Sequence, residues 1–187
     1  MMLPIMFIAF AVGLGSGAIA GEEEKGTLDF LLANPILRGR LIIEKVGAMI
    51  TSIFVLAVIF LMGMMVGIAV VNIDISLLYL AEATLSTLML GLVFGTLAFF
   101  LGALKGNRGM SIGVASAAAV VTYFLNSLGG MVEALKPYRL LSPFYHHLEP
   151  NILINGLDMG HFLVLAGLVV ILFALSLPAF QRRDIAV

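Results

Sequence analysis

The sequence predicts an all-α polytopic bundle that crosses a lipid bilayer about five times, and three observations carry that reading. Hydrophobic residues fill 61% of the 187 positions and charged residues only 11%, where a water-soluble domain devotes about a quarter of its positions to charge. Mean hydropathy is +1.15, more apolar surface than a soluble fold has interior to hide. Several uncharged stretches run for about 20 residues, the length a helix needs to cross roughly 30 Å of hydrocarbon.

The first span covers about 3–20 and ends at Gly21-Glu22-Glu23-Glu24-Lys25-Gly26, where consecutive ions force an exit from lipid. It lacks the basic n-region of a signal peptide and is longer than a usual h-region, so it reads as a span. A polar-flanked segment occupies 21–45. The second span, about 46–71, is closed by Asn72-Ile73-Asp74, and the third, about 77–104, by Lys105-Gly106-Asn107-Arg108. The fourth, about 110–128, stops at Gly129-Gly130. A mixed segment, 129–160, precedes the fifth span, about 161–180, which Gln181-Arg182-Arg183-Asp184 terminates. The whole chain, 1–187, reads as one membrane domain.

Charge placement gives orientation. Lys25, Arg38, Arg40, Lys45, Lys105, Arg108, Arg182 and Arg183 fall on one side and only Lys136 and Arg139 on the other, so 21–45 and the C-terminus are expected in the cytoplasm. An odd number of spans then leaves the N-terminus outside. Ten Lys and Arg against a net charge of −1 provide no basic face for nucleic acid. The absence of Cys excludes disulfides, thiolate catalysis and thiolate zinc sites. Glycines recur at spacing four (Gly13/Gly17, Gly17/Gly21, Gly63/Gly67, Gly91/Gly95, Gly102/Gly106, Gly109/Gly113), a pattern that suits close helix packing or a subunit seam.

The segment 21–40 is unlike a simple connector. Acids crowd the expected start of a helix, where they complement its dipole, and Arg38 and Arg40 lie beyond its end. Leu28, Leu31, Leu32 and Pro35 form one apolar stripe. Asn34 precedes Pro35 and is pushed out of the α region, which breaks the helix there. The result is a short amphipathic helix at the interface, a pattern that an anchoring loop helix shares.

The residues Glu23 or Glu24, Gly26-Thr27-Leu28, Leu31-Leu32-Ala33, Pro35, Arg38 and Lys45 resemble the coupling-helix signature of permeases in the ABC type-2 transporter family. The ending Phe180-Gln181-Arg182-Arg183-Asp184-Ile185 is similar to that family's close after its last span. The resemblance covers essentially the whole chain and aligns its first span with the family's second of six, which implies that an interfacial helix and a first transmembrane helix are missing. It further implies an efflux system of a prokaryotic cytoplasmic (inner) membrane, in which two permease subunits form the path and two ABC ATPase subunits drive it. On that reading Glu22, Glu23, Glu24 and Arg38 supply rim charges for docking, and Leu28, Leu31 and Leu32 anchor in a groove of the ATPase. No Gly-x-x-x-x-Gly-Lys-Ser/Thr occurs, the nearest stretch being Gly102-Ala103-Leu104-Lys105-Gly106, so no cofactor is expected here and ATP belongs to the partner.

Among other polar positions, Glu82 lies near the outer end of the third span and is a candidate for gate or pathway, or for a hydrogen-bonded structural role. The outer segment carries Phe144 and Tyr145 between Pro143 and Pro150 and is expected to dip into the outer leaflet as short amphipathic pieces. In the family it resembles, this is the extracellular gate region. His146, His147, Glu149 and His161 lack the spacing of a metal site, and Glu22-Glu23-Glu24 lacks the partners of an intramembrane protease. The expected function is therefore a transport subunit without an ATPase site of its own. A non-transporting anchor or truncated remnant is the alternative, and an intramembrane metal-dependent hydrolase is the third. The spans carry too little charge to select a substrate.

Overall fold

The computed structural model describes residues 2–27, 38–71 and 75–182, Arg38 by its backbone alone. It is all-α, with no strand among the described residues. In chain order the elements are α1 (Met2–Ala18), α2 (Ala20–Glu24), α3 (Arg38–Val71), α4 (Leu77–Lys105), α5 (Arg108–Gly129), a 3-10 helix (Glu133–Leu141), α6 (Pro143–Leu148), α7 (Ile152–Asn155) and α8 (Met159–Gln181). Among the described residues, α3, α4, α5 and α8 are the four helices long and apolar enough to cross a membrane.

The first expected span is α1, an apolar helix of 17 residues. It reaches about 26 Å at 1.5 Å per residue and is prolonged, after a break at Ile19, by α2. The second begins at Arg38 instead of 46, which corrects the expected extent of the polar segment. Charged residues interrupt the uncharged run there, yet the helical repeat continues: Leu41, Ile42, Val46 and Met49 are buried on one face. On the exposed side Arg40 and Glu44 form an i,i+4 ion pair of 2.8 Å. The outer segment does fold as short pieces, the 3-10 helix, α6 and α7.

Helix α4 is the axis of the bundle. Of its most apolar window 72% is buried, against 11% for α3 and α8 and 22% for α5. Helix α1 lies along it, with Gly15, Gly91 and Gly95 at the crossing: a Cβ on Gly95 would stand 2.9 Å from the Ala11 Cβ. Without a hydrophobic drive between helices in lipid, such backbone approach supplies the packing. The expected pair Gly91/Gly95 is thus used, while Gly13, Gly63, Gly67 and Gly113 face open space. One core forms where Phe7, Ile42, Ile53, Phe99 and Phe180 meet, and a second where Ile8, Val12, Phe94 and Phe144 meet. The hydroxyls of Thr84, Thr87 and Thr96, buried in α4, each donate to the carbonyl four residues back at 2.8 Å.

Candidate functional site

One end of the bundle gathers residues 18–27, the start of α3, the α4–α5 turn and the end of α8, where Lys45 meets Glu22, Glu24 meets Arg108 and Gly39 lies against Gln181. There α2 terminates in a Schellman motif: Gly26 takes φ +67°, its N–H donates to the Glu23 carbonyl at 3.0 Å, and Thr27 N–H donates to the Glu22 carbonyl at 2.9 Å. Glu22, Glu23 and Glu24 therefore close the helix running out of α1. This corrects the expectation that they open the next one, and the reason is the left-handed backbone at Gly26, which no helix passes through.

The acids are held within the chain. Lys45 Nζ donates to Glu22 Oε1 at 2.8 Å, tying α3 to α2, and the Thr27 hydroxyl also reaches the Glu22 carboxylate. The Lys45 hydrogen bond, joined by that of Thr27, holds the Glu22 carboxyl below the usual range. Glu24 Oε1 accepts the Arg108 backbone N–H at 3.0 Å, at the first residue of α5. The α4–α5 turn is built by Gly106, at φ +63°, and by Asn107, whose side chain accepts the Met110 N–H at 2.7 Å. Leu28, Leu31, Leu32, Ala33 and Pro35 lie outside the described residues, and Arg38 opens α3.

At the opposite end the structure separates the three gate candidates. Phe144 is buried, with its ring 5.7 Å from Phe94 and 5.5 Å from Tyr123. Ser142 positions it: its hydroxyl caps α6 by accepting the Phe144 N–H at 3.2 Å and donates to the Thr122 carbonyl at 2.7 Å. Tyr145 faces elsewhere, its ring 5.5 Å from His161 and 5.1 Å beneath the Arg139 guanidinium, which also reaches Glu149 at 3.1 Å. Glu82 Oε2 accepts the Leu157 N–H at 2.8 Å and so holds the turn before α8, where Gly156 has φ +80°.

The histidines form hydrogen bonds of their own. His146 Nε2 lies 3.0 Å from the Leu140 carbonyl, which can only accept, so in the neutral ring Nδ1 is an acceptor and takes the proton of His161 Nδ1 at 3.0 Å. Burial keeps His146 below its ordinary value and pushes His147, bonded to Ser86 Oγ at 2.8 Å, down to about 4. Among the described residues no group of three His, Asp or Glu is placed to hold a metal ion.

Sequence reasoning missed Arg108 and the capping role of Gly26. The Glu24–Arg108 bond joins positions 84 apart, for which no local pattern exists. The glycine two residues past an acidic helix end was a usable signal for the cap. The family model described as ABC-2 family transporter protein matches residues 1–185 of the chain. No curated protein and no solved structure matches it.

Proposed function

Because the chain belongs to the ABC-2 family of transporter proteins, a membrane permease component, we propose that it is the permease subunit of an ATP-driven exporter, worked by a separate ABC ATPase that docks on residues 22–38. The observation that carries the docking assignment is the Glu22–Lys45 and Glu24–Arg108 bonding, which fastens the acidic stretch to α3 and α5. A push on the acidic stretch would reach two membrane helices through these short bonds. Such a coupling suits a rocking of packed helices around a central path. Rim charges would set the register of docking, and the apolar stripe Leu28, Leu31 and Leu32 its affinity.

The reading includes a second permease subunit, placement in a prokaryotic cytoplasmic membrane and a cytoplasmic C-terminus, supported by the excess of Lys and Arg at the docking end. Gating at the other end would fall to Glu82, Phe144 and Tyr145. Co-purification with an ABC ATPase followed by reconstitution tests the proposal. The ATPase should be retained and its turnover raised by the permease, and Leu31→Asp should abolish the stimulation while leaving the chain folded. Failure to retain any ATPase, with activity indifferent to changes across Gly26-Thr27-Leu28, would discard it.

A further inference from the structure

The pair Gly13/Gly17 suited close helix packing or a subunit seam, yet within the described residues a Cβ at Gly13 would meet no neighbour and one at Gly17 only the Arg108 side chain. The pair floors a cavity of about 340 Å³ between α1 and α3, within the roughly 300–1,000 Å³ of small-ligand sites. Lys25, Lys45 and Arg108 line one part of it, Gly13, Leu14 and Met49 another, and among the described residues its lining holds no carboxylate. Glu22 occupies one of the three N–H donors of Lys45, and Glu24 takes the backbone N–H of Arg108, not its guanidinium. The Arg108 side chain passes 3.7 Å from where a Gly21 Cβ would stand and 3.9 Å from one on Gly17, and its Nε is buried with no hydrogen-bond partner among the described residues.

Three cations at the end of an apolar slot fit a ligand that is itself half charged and half apolar. We propose that this cavity binds an anionic phospholipid of the adjoining leaflet, its phosphate among Lys25, Lys45 and Arg108 and an acyl chain along Gly13, Leu14 and Met49. Basic pockets between membrane helices recognise such headgroups by charge-assisted hydrogen bonds, and side chains absent at Gly13 and Gly17 leave room for the chain. A bound lipid would bridge α1, α3 and α5 beside the Glu22–Lys45 pair. This inference does not depend on the transport reading.

The test is thermal unfolding of the purified full chain in detergent, titrated with short-chain phosphatidylglycerol, short-chain phosphatidylcholine or inorganic phosphate. Phosphatidylglycerol should stabilise saturably and the other two far less. Arg108→Gln and Lys45→Gln should each weaken the apparent affinity about fivefold, the contribution of one interfacial cation. Gly13→Leu, whose Cβ would meet no neighbour within 4 Å, should weaken it by filling the slot with no change in charge. If Arg108→Gln does not fold, Lys25→Gln, at an exposed position, takes its place. Phosphatidylcholine matching phosphatidylglycerol would overturn the proposal, as would inorganic phosphate acting as well as lipid or affinity unmoved in all the variants.

Discussion

Gly15 and Gly95 meet backbone to backbone where α1 crosses α4, so closely that a methyl group on Gly15 would overlap the Gly95 carbonyl oxygen. Gly15→Ala should therefore force the helices apart and cost about 1–3 kcal/mol, as overpacking of a tight contact does. Gly13→Ala, two residues away on an open face, should be neutral or stabilise by roughly 0.5–1 kcal/mol through helix propensity. Thermal unfolding of both variants in one detergent checks the contrast.

The Schellman cap makes a second position sharp. Gly26→Ala places a Cβ in the left-handed region and should cost about 1–2 kcal/mol locally. Because the residue is exposed, the loss should appear as faster proteolysis after residue 27, with little change in global unfolding.

The Glu22–Lys45 pair is partly exposed, at 29% and 27%, and a double-mutant cycle with Glu22→Gln and Lys45→Met should return no more than about 1 kcal/mol. The carboxyl is depressed in the folded state, so its contribution is complete above the ordinary carboxylate range and fades as pH falls through the lowered folded value. Glu22→Gln should remove that acid-side dependence.

His147 titrates with the same sign for a different reason. Folded, it stays neutral down to about 4, whereas unfolded it takes up its proton near 6.5. The unfolded chain binds more protons between those values, so stability should rise with pH across that window, by about 2 kcal/mol after allowance for partial exposure. His147→Phe should flatten the slope in unfolding experiments run across that range.

Glu82→Ala removes the acceptor of the Leu157 N–H and should destabilise by about 1–3 kcal/mol. Glu82→Gln keeps an acceptor and should restore most of that. A pathway role for the charge would separate the two measurements: Gln would recover unfolding stability but not transport.

The helices were legible because lipid imposes one demand, an uncharged run of sufficient length, and α4, α5 and α8 meet it within two residues of the expected ends. Charge was a poor guide to where α3 starts. Its first turns keep Leu41 and Ile42 buried while Arg40 and Glu44 pair outside, a periodicity that a search for uncharged windows passes over. The acids 22–24 misled in a related way: acidic residues suit a helix start, and only Gly26 distinguishes an end from a beginning. The glycine pattern was sought within helices, whereas the decisive contact lies between them and recruits Gly15, which the spacing-four series omits. As for the gate candidates, Phe144 and Tyr145 were expected together in the outer segment, but adjacent positions on α6 send the two rings to different neighbours.

The contrast between α4, 72% buried in its apolar window, and α3, at 11%, bears on how this sequence can drift. A helix surrounded by its own chain is constrained in volume and free in polarity, provided each hydroxyl can return to a backbone carbonyl, as Thr84, Thr87 and Thr96 do. A helix that faces outward is constrained in polarity and free in volume. In a saturation library α4 should accept Ser for Ala yet reject Leu, and the outward positions of α3 should show the reverse.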